Sequence, residues 1–432
     1  MKNLTRNKFI SGITSEKNIL SAYVVVFMLN NFTEFFWNYW LKPAYALIYL
    51  WVLALWLWHT FITGKYLSDW YYRMSQIFLG INLFCSFVYK ANWRFSILQD
   101  FAILILYIFI CFGAYHGEKD TTRLDRVIFC VMAVVFVTST ASLYARSFVP
   151  QWLKEITRDR FCGFYTYYNE GANYAYTSII FSLYWLTHNR GNHSRMMTVL
   201  FLVNLAVQLV YMYLTKARTY MLVLAVTMFV LGMVMLHNRI HDRKKRIQMY
   251  IMITAVFLVI GYILLFTKYG MARNFATYSF QGKTFRDLGS MTSAERDDFL
   301  NHFSSRRYVM WKECFGVIKE SPVIGYGLKS RGFTYFSTHG ENAHNLFINS
   351  LLFSGVIGFA WVVVYFQRVF RDSAKNCVTF DRVILWSFLL GTFLIAQLET
   401  GLLYNGKATS AICWAVMGLL TTRSEENSIK AE

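Results

Sequence analysis

Charge is scarce in this chain. Of its 432 residues only 16% are charged, against 56% hydrophobic and 19% aromatic. Soluble domains carry about 25% charged residues, so the composition argues against an ordinary soluble domain and points to a membrane protein. Cysteine pairing is missing as well: the seven cysteines include no CxxC. No HExxH or similar spacing of metal ligands occurs, so no metal is expected. There is no internal repeat of fixed period and no low-complexity tract. Residues 1–18 lack a short apolar core followed by a small-residue cleavage site, so they read as a polar, basic cytoplasmic tail before an uncleaved span.

What is present is a series of apolar runs at about 20–40, 43–62, 73–89, 97–115, 126–145, 172–187, 196–214, 219–237, 247–266, 344–367, 383–399 and 408–422. A bilayer core needs about 20 apolar residues per helix, and backbone groups in lipid must be satisfied within the segment. The runs are too long and too uniformly apolar for barrel strands. The expected fold is therefore all-α and polytopic, with about 12 transmembrane helices. Its parts are a tail (1–18), spans one to nine (19–266), a large outer loop (267–343), spans ten to twelve (344–422) and a second tail (423–432). A structureless loop of that length is unusual, so it is expected to be partly helical and functional.

The formal charge of +19 is distributed in a way that excludes nucleic acid as the partner. No basic arm is interleaved with stacking aromatics; Lys and Arg cluster between apolar runs instead. Arg239, Arg243, Lys244, Lys245 and Arg246 form one cluster, and Arg368, Arg371, Lys375 and Arg382 another. By the positive-inside rule both clusters and both termini face the cytoplasm. His302, His339 and His344 then lie outside, and the other six histidines inside. Cys162 and Cys314 also fall in outer loops, where a disulfide is open to them although neither spacing argues for one.

Within the outer loop, "SSRRYVMWKECFGVIKESPVIGYG" reads as a helix capped by Ser304 or Ser305 and stopped at Ser321-Pro322. Arg307, Trp311, Cys314, Phe315 and Ile318 are expected to share a face, and Gly325 and Gly327 to permit a tight reversal. An arginine on such a face wants an anionic partner. Arg218, in the short turn of "YLTKARTYM", and His344, in "HGENAHN", stand on the same side. Arginine offers a planar fork suited to phosphate oxygens, and histidine accepts a proton near neutral pH. The three suit attack by a hydroxyl on a sugar-1-diphosphate. Ordinary alternatives stay open at this point: snorkelling for Arg218, solvated helix-start charges for Arg306 and Arg307, and a helix cap for His344.

The stretch "SRRYVMWKECFGVIKESPVIGYG" followed by "NAHNLFINSLLFSGVIGF" resembles the signature of the bacterial O-antigen ligase and O-antigen polymerase superfamily. The matching positions are Arg307, Trp311, Pro322, Gly325, Gly327, His344, Asn345, Gly355 and Gly358. "RFCGFYTYYNEGANYAYTS" (160–178) and "TKARTYMLVLAV" (215–226) resemble further family stretches, with Arg218 at the family's arginine position. The resemblance runs from about 157 to 370; the first five spans match only in hydropathy. It implies a metal- and cofactor-independent inverting glycosyltransferase of the bacterial inner membrane. The implied donor is a glycan on undecaprenyl diphosphate, and the acceptor is lipid A-core or a nascent polysaccharide. In that reading Arg218 and Arg307 hold the diphosphate and His344 is the general base. Arg160, His339, Asn345 and Trp311 are candidate contacts to diphosphate or acceptor. Where many members have an acidic residue before Gly-x-x-Gly, this chain has Phe353-Ser354; Glu399 or Glu341 is available instead, and neither is assigned a role.

The wording of the motifs leans toward a ligase, with a polymerase of the same superfamily as the alternative. A transporter for an anionic lipid or sugar is the rival from another class. Transporters place charges near the bilayer midplane and often show repeats and broken helices, whereas here the middles of the runs are nearly free of charge.

Overall fold

The computed structural model describes residues 14–31, 41–88, 95–118, 120–148, 161–165, 167–188, 194–240, 242–267, 275, 277–328, 343–399 and 401–422. Among them are fourteen α-helices, and each of the twelve apolar runs falls on one. The first nine are α1 (Glu16–Asn31), α2 (Lys42–Leu57), α3 (Trp70–Val88), α4 (Phe95–Ile105), α5 (Thr122–Phe148), α6 (Tyr168–Thr187), α7 (Arg195–Thr215), α8 (Arg218–Arg239) and α9 (Arg243–Phe266). The chain then leaves the bundle for α10 (Ser293–Phe303) and α11 (Arg307–Glu320). It returns for α12 (Leu346–Lys375), α13 (Phe380–Ala396) and α14 (Ala408–Thr421). Single wide turns prolong α2 through Trp58–Ile62 and α4 through Leu106–Cys111.

Six helices among the described residues are long and apolar enough to cross a membrane by length and composition: α2, α5, α7, α8, α9 and α12. The other apolar helices carry more polar side chains or are shorter, and several are sunk deep in the bundle. All fourteen residues of α14 are buried, and so is every residue from Phe101 in α4 through its wide turn to Tyr115. At the other extreme, no residue in the most apolar stretch of α9 is fully buried; it leans on α8 through the Phe229–Phe257 ring contact at 4.4 Å. Polar side chains inside the bundle satisfy one another. Asn204 donates to Ser178 and Ser182 at 2.9 and 2.7 Å, and Gln208 donates to Asn204 at 3.0 Å while accepting from Ser139 at 3.0 Å. Such bonds join helices where hydrophobicity alone gives no preference.

The segment between α9 and α12 holds a short hairpin, Ser279–Phe280 against Lys283–Thr284, antiparallel with Ser279 opposite Thr284. With α10 it forms a separate small core around Tyr278, Met291 and Phe299. The helix expected after Ser305 is α11, but two details differ. Its N-cap residue is Arg306, in the left-handed region with φ 71°, although the Ser304 hydroxyl still accepts the Tyr308 amide at 2.9 Å. Its buried stripe is Met310, Cys314 and Ile318, whereas Phe315 is exposed. A helix advances about 100° per residue, which carries Phe315 off the stripe that Cys314 and Ile318 define and brings Met310 onto it. Cys314 and Cys162 are both free thiols.

One feature locks this outer segment to the bundle. Helix α12 breaks at Gly355, whose φ is 59° and ψ −160°, a region that essentially only glycine occupies. The break frees backbone groups that a continuous helix would pair internally. The turn after α11 supplies the partners: the amides of Tyr326 and Gly327 donate to the carbonyls of Leu352 and Phe353, each at 2.8 Å, and the Val356 amide donates to the Pro322 carbonyl at 2.8 Å. Irregular backbone at membrane depth is tolerated when protein covers it, and this turn does so. Approach is so close that a Cβ on Gly355 would stand 2.2 Å from the Val323 carbonyl oxygen, and one on Gly327 would stand 2.4 Å from the Ser86 Cα. The expected tight reversal at Gly325 and Gly327 and the Gly-x-x-Gly of the tenth run are thus two halves of one clasp. Gly355→Ala is expected to destabilise the protein by at least about 1–3 kcal/mol from backbone strain alone. Thermal unfolding in detergent checks this, and an unchanged midpoint would contradict the clasp.

Candidate functional site

The helices run up and down, so their ends fall into two sets. One end gathers ion pairs between helix termini: Lys65 with Glu16 at 2.5 Å, His116 with Asp69 at 2.6 Å, and His188 with Asp381 at 3.2 Å. The opposite end holds the starts of α6, α8, α12 and α14 and the end of α13, with α10 and α11 packed over them. Arg218, Arg307 and His344 all lie at this second end.

Its centre is Glu399, three residues past the end of α13 and only 5% exposed. One carboxylate oxygen is paired with the Arg307 Nη2 and also accepts from the Asn169 Nδ2 at 2.9 Å. The other oxygen lies 3.6 Å from the His344 Nδ1. Burial raises the carboxyl's pKa, but the neighbouring His344 and the Arg307 and Lys407 charges outweigh it, holding Glu399 below the ordinary value. It therefore stays an anion that draws an arginine, a histidine and an asparagine from three separate elements onto one group.

Local structure explains why these side chains converge. Asn345 is the N-cap of α12, accepting from the Ile348 amide at 3.0 Å. Its Nδ2 donates to the Gln397 carbonyl at 2.8 Å, which pins the start of α12 to the end of α13. His344, immediately before the cap, sits in the left-handed region with φ 47°, a conformation unusual for a residue with a side chain and characteristic of functional sites. The Trp311 Nε1 donates to the Ala343 carbonyl at 2.7 Å, and the Ala343 amide donates to Asn349 at 2.8 Å. One helix, α11, thus supplies Arg307 to the carboxylate and, one turn later, holds the backbone that carries His344.

Arg218 opens α8 and reaches the α10–α11 corner. Its Nη2 donates to the Phe303 carbonyl at 3.0 Å, and its guanidinium lies 5.2 Å from the Phe303 ring. Phe303 belongs to the small outer core and stands four residues before Arg307. Two residues after Arg218, Tyr220 is fully buried with no partner for its hydroxyl among the described residues.

Of the seven residues singled out from the sequence, Arg307 and His344 meet at a single carboxylate. Trp311 and Asn345 stand beside them with their polar atoms bonded to backbone, and Arg218 borders the same corner. Arg160 and His339 lie outside the described residues, as does Glu341. The residue that the sequence leaves without a role is Glu399. Its only signal was position: a carboxylate at the outer end of an apolar run, opposite a helix that begins with an arginine.

The arrangement suits transfer chemistry on an anionic leaving group. An imidazole with one nitrogen facing a carboxylate presents its other nitrogen as a proton acceptor, and guanidinium groups fixed at a low-dielectric boundary stabilise charge that builds on phosphate oxygens. Residues 200–363 match the family model described as O-antigen ligase. That stretch runs from within α7 into α12 and contains Arg218, Arg307, Trp311, His344 and Asn345; Glu399 lies beyond it. No curated protein matches the chain.

Because its pKa is lower in the folded protein than the usual 4.5, Glu399 contributes stability above that pH and loses it as pH falls through the folded value. Glu399→Gln is expected to cost about 1.5–3 kcal/mol near neutral pH, the range for a hydrogen bond to a charged group. The gap to the wild type should close as both are acidified below 4.5. Unfolding curves collected across pH test this; a gap that is constant with pH would mean that the carboxylate charge is not what the site uses.

Proposed function

We propose that this chain, which carries the O-antigen ligase family's domain over residues 200–363, is a membrane glycosyltransferase. It moves a glycan from undecaprenyl diphosphate to an acceptor hydroxyl at the periplasmic face of the bacterial inner membrane. The observation that carries this reading is the shared carboxylate: Glu399 pairs with Arg307 and faces the His344 Nδ1 at 3.6 Å.

The orientation follows from charge. Helix α8 starts at Arg218 and ends at Arg239, roughly 30 Å away at 1.5 Å per residue, which is the thickness of a bilayer core. The basic cluster from Arg239 to Arg246 belongs on the cytoplasmic side, so the end bearing Glu399 is periplasmic. Both chain termini then face the cytoplasm, with twelve helices forming the membrane domain.

In the proposed reaction the acceptor hydroxyl attacks the anomeric carbon of the lipid-linked sugar. Its proton passes to the His344 Nε2 as the new glycosidic bond forms. The bond from the anomeric carbon to the diphosphate oxygen breaks on the opposite side, giving inversion and free undecaprenyl diphosphate. Glu399 keeps the Nδ1 proton toward itself, which leaves Nε2 unprotonated and ready to act as base. Arg218 and Arg307 stabilise the departing diphosphate, so the chemistry calls on no metal or cofactor. Trp311 and Asn345 act by holding the His344 backbone. The acceptor is read as the sugar of lipid A-core, the ligase reaction; a polymerase would use the same steps with the next lipid-linked repeat unit as acceptor.

Reconstitution with lipid-linked glycan and either acceptor tests the reading. His344→Ala is expected to lower the rate by roughly 10²–10⁴-fold, the usual contribution of general base catalysis, with the protein still folded in the membrane. Arg218→Ala should abolish transfer, and Arg307→Lys should impair it because lysine loses the bidentate fork. Full activity in all three variants would refute the site.

A further inference from the structure

The basic run from Arg239 to Arg246 has no part in the transfer chemistry. It joins the end of α8 to the start of α9, at the end of α8 opposite Arg218. Five cations stand there, Arg239, Arg243, Lys244, Lys245 and Arg246, with a single carboxylate, Asp242. That carboxylate is engaged locally: it caps α9, accepting from the Lys244 amide at 2.9 Å and the Lys245 amide at 3.5 Å. Among the described residues no ion pair involves any of the five cations. Arg239, Arg243, Lys244 and Lys245 are exposed, and Arg246 is half-buried.

The difference at Arg246 comes from the way the two helices meet. The His237 Nδ1 lies 2.9 Å from the Tyr250 hydroxyl, and the Phe229 and Phe257 rings stand 4.4 Å apart. The two contacts are about two turns apart on each helix, so α8 and α9 run side by side in opposite directions. Partial burial on α9 recurs at Arg246, Tyr250, Ile253 and Phe257, the spacing of one helix face. Arg246 therefore prolongs the seam past Tyr250. Arg243, three residues earlier, lies on the same face, and Arg239 closes the seam from the α8 side. Lys244 and Lys245 stand more than about 100° round the helix from Tyr250. Beside the seam and deeper along α9, Ile251, Leu258 and Tyr262 form an exposed apolar strip.

We propose that the α8–α9 seam binds an anionic phospholipid. Its phosphate is held by Arg239, Arg243 and Arg246, and its acyl chains lie along the apolar strip of α9. The lipid belongs to the leaflet opposite the Glu399 site, the cytoplasmic one in the orientation above. Basic clusters at the membrane end of a helix, and basic pockets between spanning helices, recognise such headgroups, and arginine's fork matches phosphate oxygens. An acidic protein segment would match the charge but leave the apolar strip uncovered. The site is independent of the transferase reading. Its consequence is mechanical: a lipid seated there ties α9, otherwise poorly covered, to the helix that begins with Arg218.

The test places full-length protein in nanodiscs of phosphatidylcholine mixed with phosphatidylglycerol and counts the lipids retained on release by native mass spectrometry. The wild type is expected to retain phosphatidylglycerol in preference. Arg243→Gln combined with Arg246→Gln should lower that preference by roughly ten- to a hundredfold, two cations at the usual strength of basic residues near an anionic surface. Lys244→Gln combined with Lys245→Gln removes the same charge from the same turn but off the seam, and should leave most of the preference. Arg239→Gln, which leaves α9 untouched, should lower it several-fold even where the double variant fails to fold. Equal losses in the two double variants would overturn the site by making the attraction a diffuse surface effect. A wild type that retains the two lipids equally would overturn it as well, and would turn the search toward an acidic protein partner.

Discussion

A carboxylate kept ionised while nearly buried imposes more on this protein than any other group. Glu399 is 5% exposed, and a charge taken out of water costs several kcal/mol unless cations and hydrogen bonds surround it. Those partners come from α6 through Asn169, from α11 through Arg307, and from the start of α12 through His344. None of the three elements can drift without leaving the anion short of a partner. The same contacts that satisfy Glu399 therefore hold an arginine and a histidine at a fixed separation, which is what a transfer site on an anionic substrate needs.

The glycine clasp serves the same end by a different physical route. Breaking α12 at Gly355 leaves carbonyls and an amide that lipid cannot satisfy, and the Pro322–Gly327 turn fills them. Because that turn directly follows α11, the backbone bonds fix the far end of α11 while Arg307 and Trp311 fix its near end. An outer helix that might otherwise ride loosely on the bundle is anchored at both termini. Helix α9 shows the contrast: it carries no residue of the site, and none of its most apolar stretch is fully buried.

Much of the fold was legible because lipid is a demanding solvent. It sets the length of apolar runs, and each of the twelve runs lies on a helix. Gly325 and Gly327 announced a tight reversal, though not that it would pack against Gly355. The details of α11 were less legible. Phe315 looked like a core residue by spacing, yet the helix presents Met310 instead, because the bundle lies to one side of the stripe. Arg307 asked for an anionic partner, and the partner proved to be a side chain 92 positions away.

The sequence by itself determined that this chain is a helical membrane protein whose distinctive cations and histidine lie on one side. Hydropathy and charge act locally, over one span or one loop, and so are written in consecutive residues. Only the tertiary structure decided that Glu399 joins Arg307 to His344. Those pairings depend on where helix ends meet across the bundle, and a pairing energy between distant residues leaves no mark on the order of either one's neighbours.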